Sequence, residues 1–195
     1  MPVKVKIEEP SGTYFITFTC YKWLHLIEKT MAYNLVYKWF DHLVEKGHFI
    51  IGFVIMPNHV HSIISFRNTD QSINTIVGNG KRFIAYEIIN RLKTQGEIGL
   101  LKKLEIGVTS KDKLKNKKHE IWESSFDWKN CQSNAFIEQK LNYIHNNPCT
   151  EKWNLAKTPE EYKHSSAKYY ICSVQGEYNV TNYLEIPDKD FGNGF

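Results

Sequence analysis

The sequence lacks any long hydrophobic run. No apolar stretch approaches the roughly 20 residues that a membrane-spanning helix needs, and the opening MPVKVKIEEP carries no apolar signal core. Four cysteines occur in 195 residues, without a CxxC pair or a zinc-ribbon spacing, at positions 20, 131, 149 and 172. These absences disfavour a membrane protein, a disulfide framework and a structural zinc site. We therefore expect a cytoplasmic protein with reduced thiols.

Acidic residues are scarce in one segment, KDKLKNKKH at residues 111–119. It holds five lysines against one aspartate, a local excess that equals the whole formal net charge of +4. A run of this kind is either a solvated loop or an arm that contacts phosphates, and the sequence leaves both readings open.

The order of predicted elements indicates an α+β fold. Alternating apolar residues, helical spacing and turn residues predict strands at 13–20, 49–56, 59–66 and 121–128 and helices at 30–46, 70–93 and 133–147. Pro57-Asn58 turns the second strand into the third. The first six elements match a βαββαβ unit, the ferredoxin-like sandwich, with a four-stranded antiparallel sheet and helices on one face. The helix 133–147 follows as an addition.

One domain accounts for the whole chain, because 195 residues suit a single core. We place its core at about 13–170 and treat the lysine-rich stretch 94–119 as an insertion. Thr158, before Pro159 and Glu161, predicts a further helix start within 158–170. Residues 171–195 form a C-terminal extension.

IMPNHVHSII, residues 55–64, places two histidines one residue apart in a strand. Since side chains alternate along a strand, His59 and His61 share a face and Val60 points to the other. The pair either binds a metal or packs. A hydrolase pattern HxHxH needs a third histidine at Ile63, and HxHxDH needs Asp-His at Ile63-Ile64, so both are excluded.

LNYIHNNP, residues 141–148, forms the second cluster of reactive side chains. Tyr143 and Asn147 are four residues apart and share a helix face, while His145 points away. A half-buried tyrosine with a capping asparagine would explain the pattern structurally. A tyrosine is also a nucleophile, but with a free pKa of ~10 it needs an electrophile that a metal has activated, such as a phosphodiester.

Together these motifs resemble a known family. MPNHVH, then WESSFD at 122–127, YIHNNP, and EEYKHSSAKYY at 160–170 are similar in kind and order to the IS200-type single-tyrosine transposases. The resemblance is strongest to their REP-associated tyrosine transposase subgroup, which acts on palindromic bacterial repeats. It runs from about residue 13 to 170. The lysine-rich insertion is longer than this resemblance predicts.

The resemblance implies a single HUH endonuclease domain. His59 and His61 would be metal ligands, Asn147 the third ligand, and Tyr143 the catalytic nucleophile. With Mg²⁺ or Mn²⁺ as cofactor, the tyrosine would form a 5′-phosphotyrosine intermediate and release a 3′-hydroxyl that can join another strand. His145 would then be structural or contact DNA.

The implied partner is single-stranded DNA with hairpin or palindromic elements, and the implied location is the nucleoid of a bacterial cytoplasm. No membrane partner is expected. Family members are monomers and homodimers, so both assemblies stay open. Trp128, Tyr162 and Tyr169 would either stack on unpaired bases or belong to the core. Two other functions remain: a hairpin-DNA-binding protein that has lost cleavage, and a metal-dependent hydrolase of small phosphoesters.

Overall fold

The computed structural model describes residues 6–124 and 126–186. Its four-stranded antiparallel sheet has the order β2-β3-β1-β4. The strands are β1 (Gly12–Thr19), β2 (Phe49–Met56), β3 (His59–Phe66) and β4 (Asp127–Asn130). The predicted α+β, ferredoxin-like class is confirmed.

The helices of the described residues are α1 (Leu26–Lys29), α2 (Tyr33–Glu45), α3 (Ile73–Thr94), α4 (Ile98–Ile106), α5 (Ser110–Lys113), α6 (Asn134–Asn146) and α7 (Ala167–Cys172). Of these, α2, α3 and α6 correspond to the helices predicted at 30–46, 70–93 and 133–147. Single 3₁₀ turns span Tyr21–Trp23, Asn147–Cys149 and Pro159–Glu161. Ser133 caps α6 as predicted, since its Oγ accepts a hydrogen bond from the Phe136 backbone N–H at 3.2 Å. The insertion 94–119 contains α4 and α5.

The two faces of the sheet carry separate apolar clusters. Tyr14, Ile16 and Phe18 of β1 point towards α2 and α3, and Phe15 points to the opposite face. The same alternation along β3 sends Val60 to the α2–α3 side and Ile63 to the side that α6 covers. Thus α6 docks across β2 and β3 on the face that also carries His59 and His61.

A glycine in β2 allows α6 to lie close to the sheet. The pairing of β2 with β3 has a register shift between Ile50 and Gly52, which is a β-bulge. A Cβ atom at Gly52 would lie 2.4 Å from Leu141 Cδ2 of α6. Because that distance is far shorter than a van der Waals contact, a larger residue at position 52 would force Leu141 to move.

The fourth strand begins later than predicted, at Asp127 rather than 121. Trp122 forms an isolated β-bridge with Cys20, and its side chain packs in the core. Its ring meets Phe18 edge-on at 5.0 Å, and its Nε1 donates to the Lys81 carbonyl oxygen at 2.8 Å. The segment 121–126 therefore adds its aromatic side chains to the core, and regular pairing with β1 begins at Asp127.

The predicted helix within 158–170 is divided. Thr158 forms the expected capping box, but the helical turn ends at Glu161, and α7 begins only at Ala167. Between them, backbone groups of residues 164–166 hydrogen-bond to β2 at 2.8 and 3.0 Å. This pairing covers the outer edge of β2, whose unpaired groups would otherwise be open to another strand.

Part of the predicted C-terminal extension packs on the domain. Val180, Tyr183 and Ile186 are buried, and the Thr181 backbone N–H donates to the Ile50 carbonyl oxygen at 2.9 Å. Residues 187–195 of the extension lie outside the described residues. Within 6–124 and 126–186, no helix combines the length and apolarity needed to cross a membrane.

Candidate metal and nucleophile site

Two buried imidazoles lie side by side at the start of β3. His59 and His61 are only 4% and 6% exposed, and their ring centroids are 4.7 Å apart. Val60 between them is fully buried on the opposite face of the sheet. The strand alternation therefore brings both rings to one side, as predicted.

An asparagine fixes the tautomer of His59. The Asn58 Nδ2 donates to the Trp23 carbonyl oxygen at 2.9 Å, so the amide oxygen must face the histidine. His59 Nδ1 lies 2.7 Å from that Oδ1 and donates to it. The lone pair of His59 is consequently on Nε2, where a cation can take it.

A threonine hydrogen-bonds to the corresponding nitrogen of His61. Thr17 is the cross-strand neighbour of His61 on β1, and its Oγ1 shares a hydrogen bond with His61 Nδ1 at 2.7 Å. Outer hydrogen bonds of this kind orient histidines that bind metals. Both rings are thus held through Nδ1, and His61 offers Nε2 to a ligand in the tautomer whose Nδ1–H donates to Thr17 Oγ1.

Burial keeps both imidazoles neutral. It is the main cause that lowers the pKa of His59 to about 4, followed by the charge of Lys152. Burial also lowers the pKa of His61 well below its ordinary value, with His59 and Lys140 as smaller causes. At neutral pH the pair is therefore uncharged and able to coordinate a cation.

The last turn of α6 places Tyr143 beside this pair. Its ring is 54% exposed, and its centroid lies 5.5 Å from that of His61. Phe15 of β1 stacks on His61 at 5.5 Å and meets Tyr143 edge-on at 6.2 Å. The phenol is thus packed on one side and open to solvent on the other.

Asn147, one helical turn after Tyr143, reaches the other histidine. It is the C-cap of α6, with helical φ and ψ of −54° and −45°. Its Nδ2 donates to His59 Nε2 at 3.3 Å. A rotation of the terminal amide would present Oδ1 to the same position, since the two amide atoms occupy equivalent places.

The side chains fit a divalent cation. No group of three or more His, Cys, Asp or Glu side chains suited to metal binding occurs within 6–124 and 126–186, so any ligand set must include another residue type. Two neutral imidazoles and an amide oxygen provide such a set and add no charge. They would leave coordination positions for phosphate oxygens and water, as Mg²⁺ and Mn²⁺ sites do.

Lys140 is a site residue that the sequence reasoning missed. Its Nζ lies 5.1 Å from the Phe15 ring centroid and 5.8 Å from that of Tyr143. Helix periodicity could have identified it in the sequence, because Lys140 precedes Tyr143 by three residues and so shares its helix face. With Lys152 near His59, it gives the site a positive charge on each side.

Other candidate residues pack within the domain, where His145 is buried and three aromatic residues are half-buried. His145 is buried, and its Nε2 hydrogen-bonds to Ser166 Oγ at 2.8 Å, which makes it structural. Trp128 packs edge-on against Tyr14 at 5.7 Å, and the Tyr162 hydroxyl donates to the carbonyl of a β2 residue. Tyr169 packs on the core formed by α2 and α3.

The chain resembles known proteins in its structure. No family model matches the chain, and no curated protein matches it. A solved REP-associated tyrosine transposase bound to a REP hairpin matches with a TM-score of 0.59 at 15% identity, over 94% of this chain and 95% of that one. A Deinococcus radiodurans R1 protein described as a candidate transposase gives 0.43 at 16% identity, over 75% and 97%. The chain therefore has the fold of the REP-associated tyrosine transposase.

Proposed function

We propose that the protein is a metal-dependent single-stranded DNA endonuclease and strand transferase that acts at hairpin-bearing sites in DNA transposition. The observation that carries this proposal is the docking of α6, which brings Tyr143 to His61 and Asn147 to His59. The fold is shared with a transposase that was solved on a REP hairpin, and this supports hairpin DNA as the partner.

Tyr143 is the proposed nucleophile. Its Oη attacks the scissile phosphorus, the bond from phosphorus to the 3′-oxygen breaks, and a 5′-phosphotyrosine forms. The phenol loses one proton and the leaving 3′-oxygen gains one, so the step is balanced. Attack by a 3′-hydroxyl on the phosphotyrosine reverses the chemistry and joins two strands.

The surrounding residues hold the reacting groups. His59, His61 and Asn147 would hold Mg²⁺ or Mn²⁺, which when bound neutralises charge on the non-bridging phosphate oxygens. Asn58 and Thr17 keep the two imidazoles in the required orientation. Lys140 adds positive charge beside Tyr143, where the phosphate must lie during attack.

The decisive experiment looks for the covalent intermediate. Purified protein, Mn²⁺ and hairpin-bearing single-stranded oligonucleotides should give a protein–DNA band that survives denaturation. Tyr143→Phe should abolish the band and leave hairpin binding intact. A band that persists in Tyr143→Phe would exclude this tyrosine as the nucleophile.

The same assay separates the two alternative functions. Hairpin binding without any adduct or cleavage would indicate a DNA-binding protein that has lost catalysis. Metal-dependent hydrolysis of small phosphoesters that is unchanged in Tyr143→Phe would indicate a hydrolase, because that reaction needs no covalent tyrosine.

A further inference from the structure

A cluster of two indoles and one lysine borders the His59 side of the site. We name Trp23, Lys152 and Trp153 the indole–lysine cluster. Lys152 Nζ lies 5.1 Å from the Trp23 ring centroid and 5.6 Å from that of Trp153. Trp23 is 55% exposed, an unusual degree for the largest aromatic side chain.

Both indoles contact the candidate metal ligand. The ring centroids of Trp23 and Trp153 lie 5.9 and 5.6 Å from that of His59. Asn58 strengthens the connection, because it donates to the Trp23 carbonyl oxygen and accepts from His59 Nδ1. The backbone that carries the exposed indole is thus linked through Asn58 to the imidazole.

The backbone that presents Trp23 is strained. Lys22 and Trp23 have φ angles of +51° and +57°, a left-handed conformation that bulky residues rarely adopt. It is held by hydrogen bonds, including one from the Lys22 backbone N–H to Glu123 Oε1 at 2.7 Å. Burial of the Trp23 side chain does not account for this strained backbone, because the side chain is exposed. Strain of this kind concentrates at functional sites.

We propose that the indole–lysine cluster binds one unpaired nucleotide of the DNA strand, next to the scissile phosphate. The base stacks on the exposed face of Trp23, and Lys152 pairs with a backbone phosphate. Exposed aromatics combined with basic side chains are how proteins bind unpaired nucleic acid. Trp153 contacts Lys152 and packs against two imidazoles, those of His25 at 5.7 Å and of His59 at 5.6 Å between ring centroids. The inference rests on the proposed function, since it needs single-stranded DNA at this site.

Binding measurements in EDTA test the subsite apart from catalysis. Fluorescence anisotropy would compare labelled hairpins that carry an unpaired 5′ or 3′ flank with the same hairpin without a flank. Trp23→Ala should weaken binding of one flanked hairpin by about 5- to 100-fold, and leave the hairpin without a flank unchanged. Trp23→Phe should retain most of the affinity. Tyr86→Ala, which removes an exposed aromatic of α3, is the matched control.

Two further readouts identify the contacts. A 2-aminopurine base in the flank should be quenched on binding at one position, and the quenching should disappear in Trp23→Ala. Lys152→Gln should reduce the slope of log Kd against log salt by about 0.7, the value for one phosphate contact on a single strand.

The possible failures are distinct. If wild-type protein binds no hairpin at all, the proposed function fails. If it binds flanked hairpins and Trp23→Ala binds them equally well, the inference fails while the proposed function stands. An equal loss for hairpins with and without a flank, or a change in oligomeric state in Trp23→Ala without a change in DNA binding, would also overturn the subsite.

Discussion

The amide nitrogen of Asn147 lies 3.3 Å from Nε2 of His59, although 88 positions separate the two residues in the chain. One residue comes from the C-terminal end of α6 and the other from the start of β3. Their contact places Asn147 where the proposed third ligand, beside His59 and His61, would have to lie. The proposed role of Asn147 as a metal ligand can be tested without DNA, by measuring Mn²⁺ binding.

Asn147→Ala should weaken Mn²⁺ binding by about 10- to 100-fold, because it would remove the proposed oxygen ligand and leave the two imidazoles. Isothermal titration calorimetry or Mn²⁺ electron paramagnetic resonance would measure the change. Asn146→Ala is the control, since that neighbouring side chain is exposed and its amide donates to the Asn142 carbonyl oxygen. Unchanged Mn²⁺ affinity in Asn147→Ala would remove this residue from the ligand set.

Thr17→Val should reduce Mn²⁺ affinity and cleavage by about 10- to 100-fold while the fold is kept. The substitution preserves shape but removes the hydroxyl that orients His61 through Nδ1. Thr13→Val, at the other end of β1 opposite Ser65, is the matched control for a threonine lost from the same strand. If the two variants bind Mn²⁺ equally well, the orienting role of Thr17 is wrong.

Much of this site follows from local sequence rules. Strand alternation places His59 with His61, and helix periodicity places Tyr143 with Asn147. Their mutual approach does not follow, because it depends on Leu141 of α6 packing on a glycine 89 positions earlier. The predicted start of the fourth strand, at residue 121, was wrong because a tertiary contact again decides the structure. Trp122 looks like a strand residue, but it forms only an isolated bridge to Cys20, and its indole packs edge-on against Phe18.

Gly52→Ala should destabilise the protein by about 1–3 kcal/mol, since a Cβ atom there would overlap Leu141. Gly78→Ala in α3 should have the opposite sign, because nothing lies within 4 Å of its added Cβ and alanine favours a helix by up to ~1 kcal/mol. Urea denaturation would measure both. A Gly52→Ala variant as stable as wild type would contradict the tight packing of Leu141 on Gly52. Displacement of α6 would also separate Tyr143 from His61 and slow cleavage.

Lys140→Ala should slow DNA cleavage by about tenfold or more, equivalent to at least ~1.4 kcal/mol in the transition state. Its Nζ lies over the Tyr143 ring, 5.8 Å from the centroid. Lys140→Arg should restore much of the rate because it keeps the charge. Lys46→Ala, on the opposite side of the sheet, is the control. Single-turnover rates at saturating DNA would separate this effect from weaker binding, and equal rates for both alanine variants would contradict it.

Stability should fall as the pH is lowered from about 6.5 towards 4, and His145 should account for part of the loss. Burial lowers the pKa of His145 to about 4 in the folded protein, whereas an unfolded histidine titrates near 6.5. Between these values the unfolded chain binds a proton that the folded chain does not. The free energy of unfolding therefore decreases as the pH falls through this window, by up to ~3 kcal/mol for this residue.

His145→Gln should flatten that dependence, because glutamine can still hydrogen-bond to Ser166 but does not titrate. Urea denaturation in EDTA at pH 7 and pH 4.5 would give the free energy of unfolding of each variant. His42→Gln, which removes an exposed histidine of α2, is the control for the loss of a histidine. His59 and His61 remain in both variants, so the difference between the two slopes belongs to His145. A His145→Gln slope equal to that of His42→Gln would show that the buried imidazole is not a source of acid sensitivity.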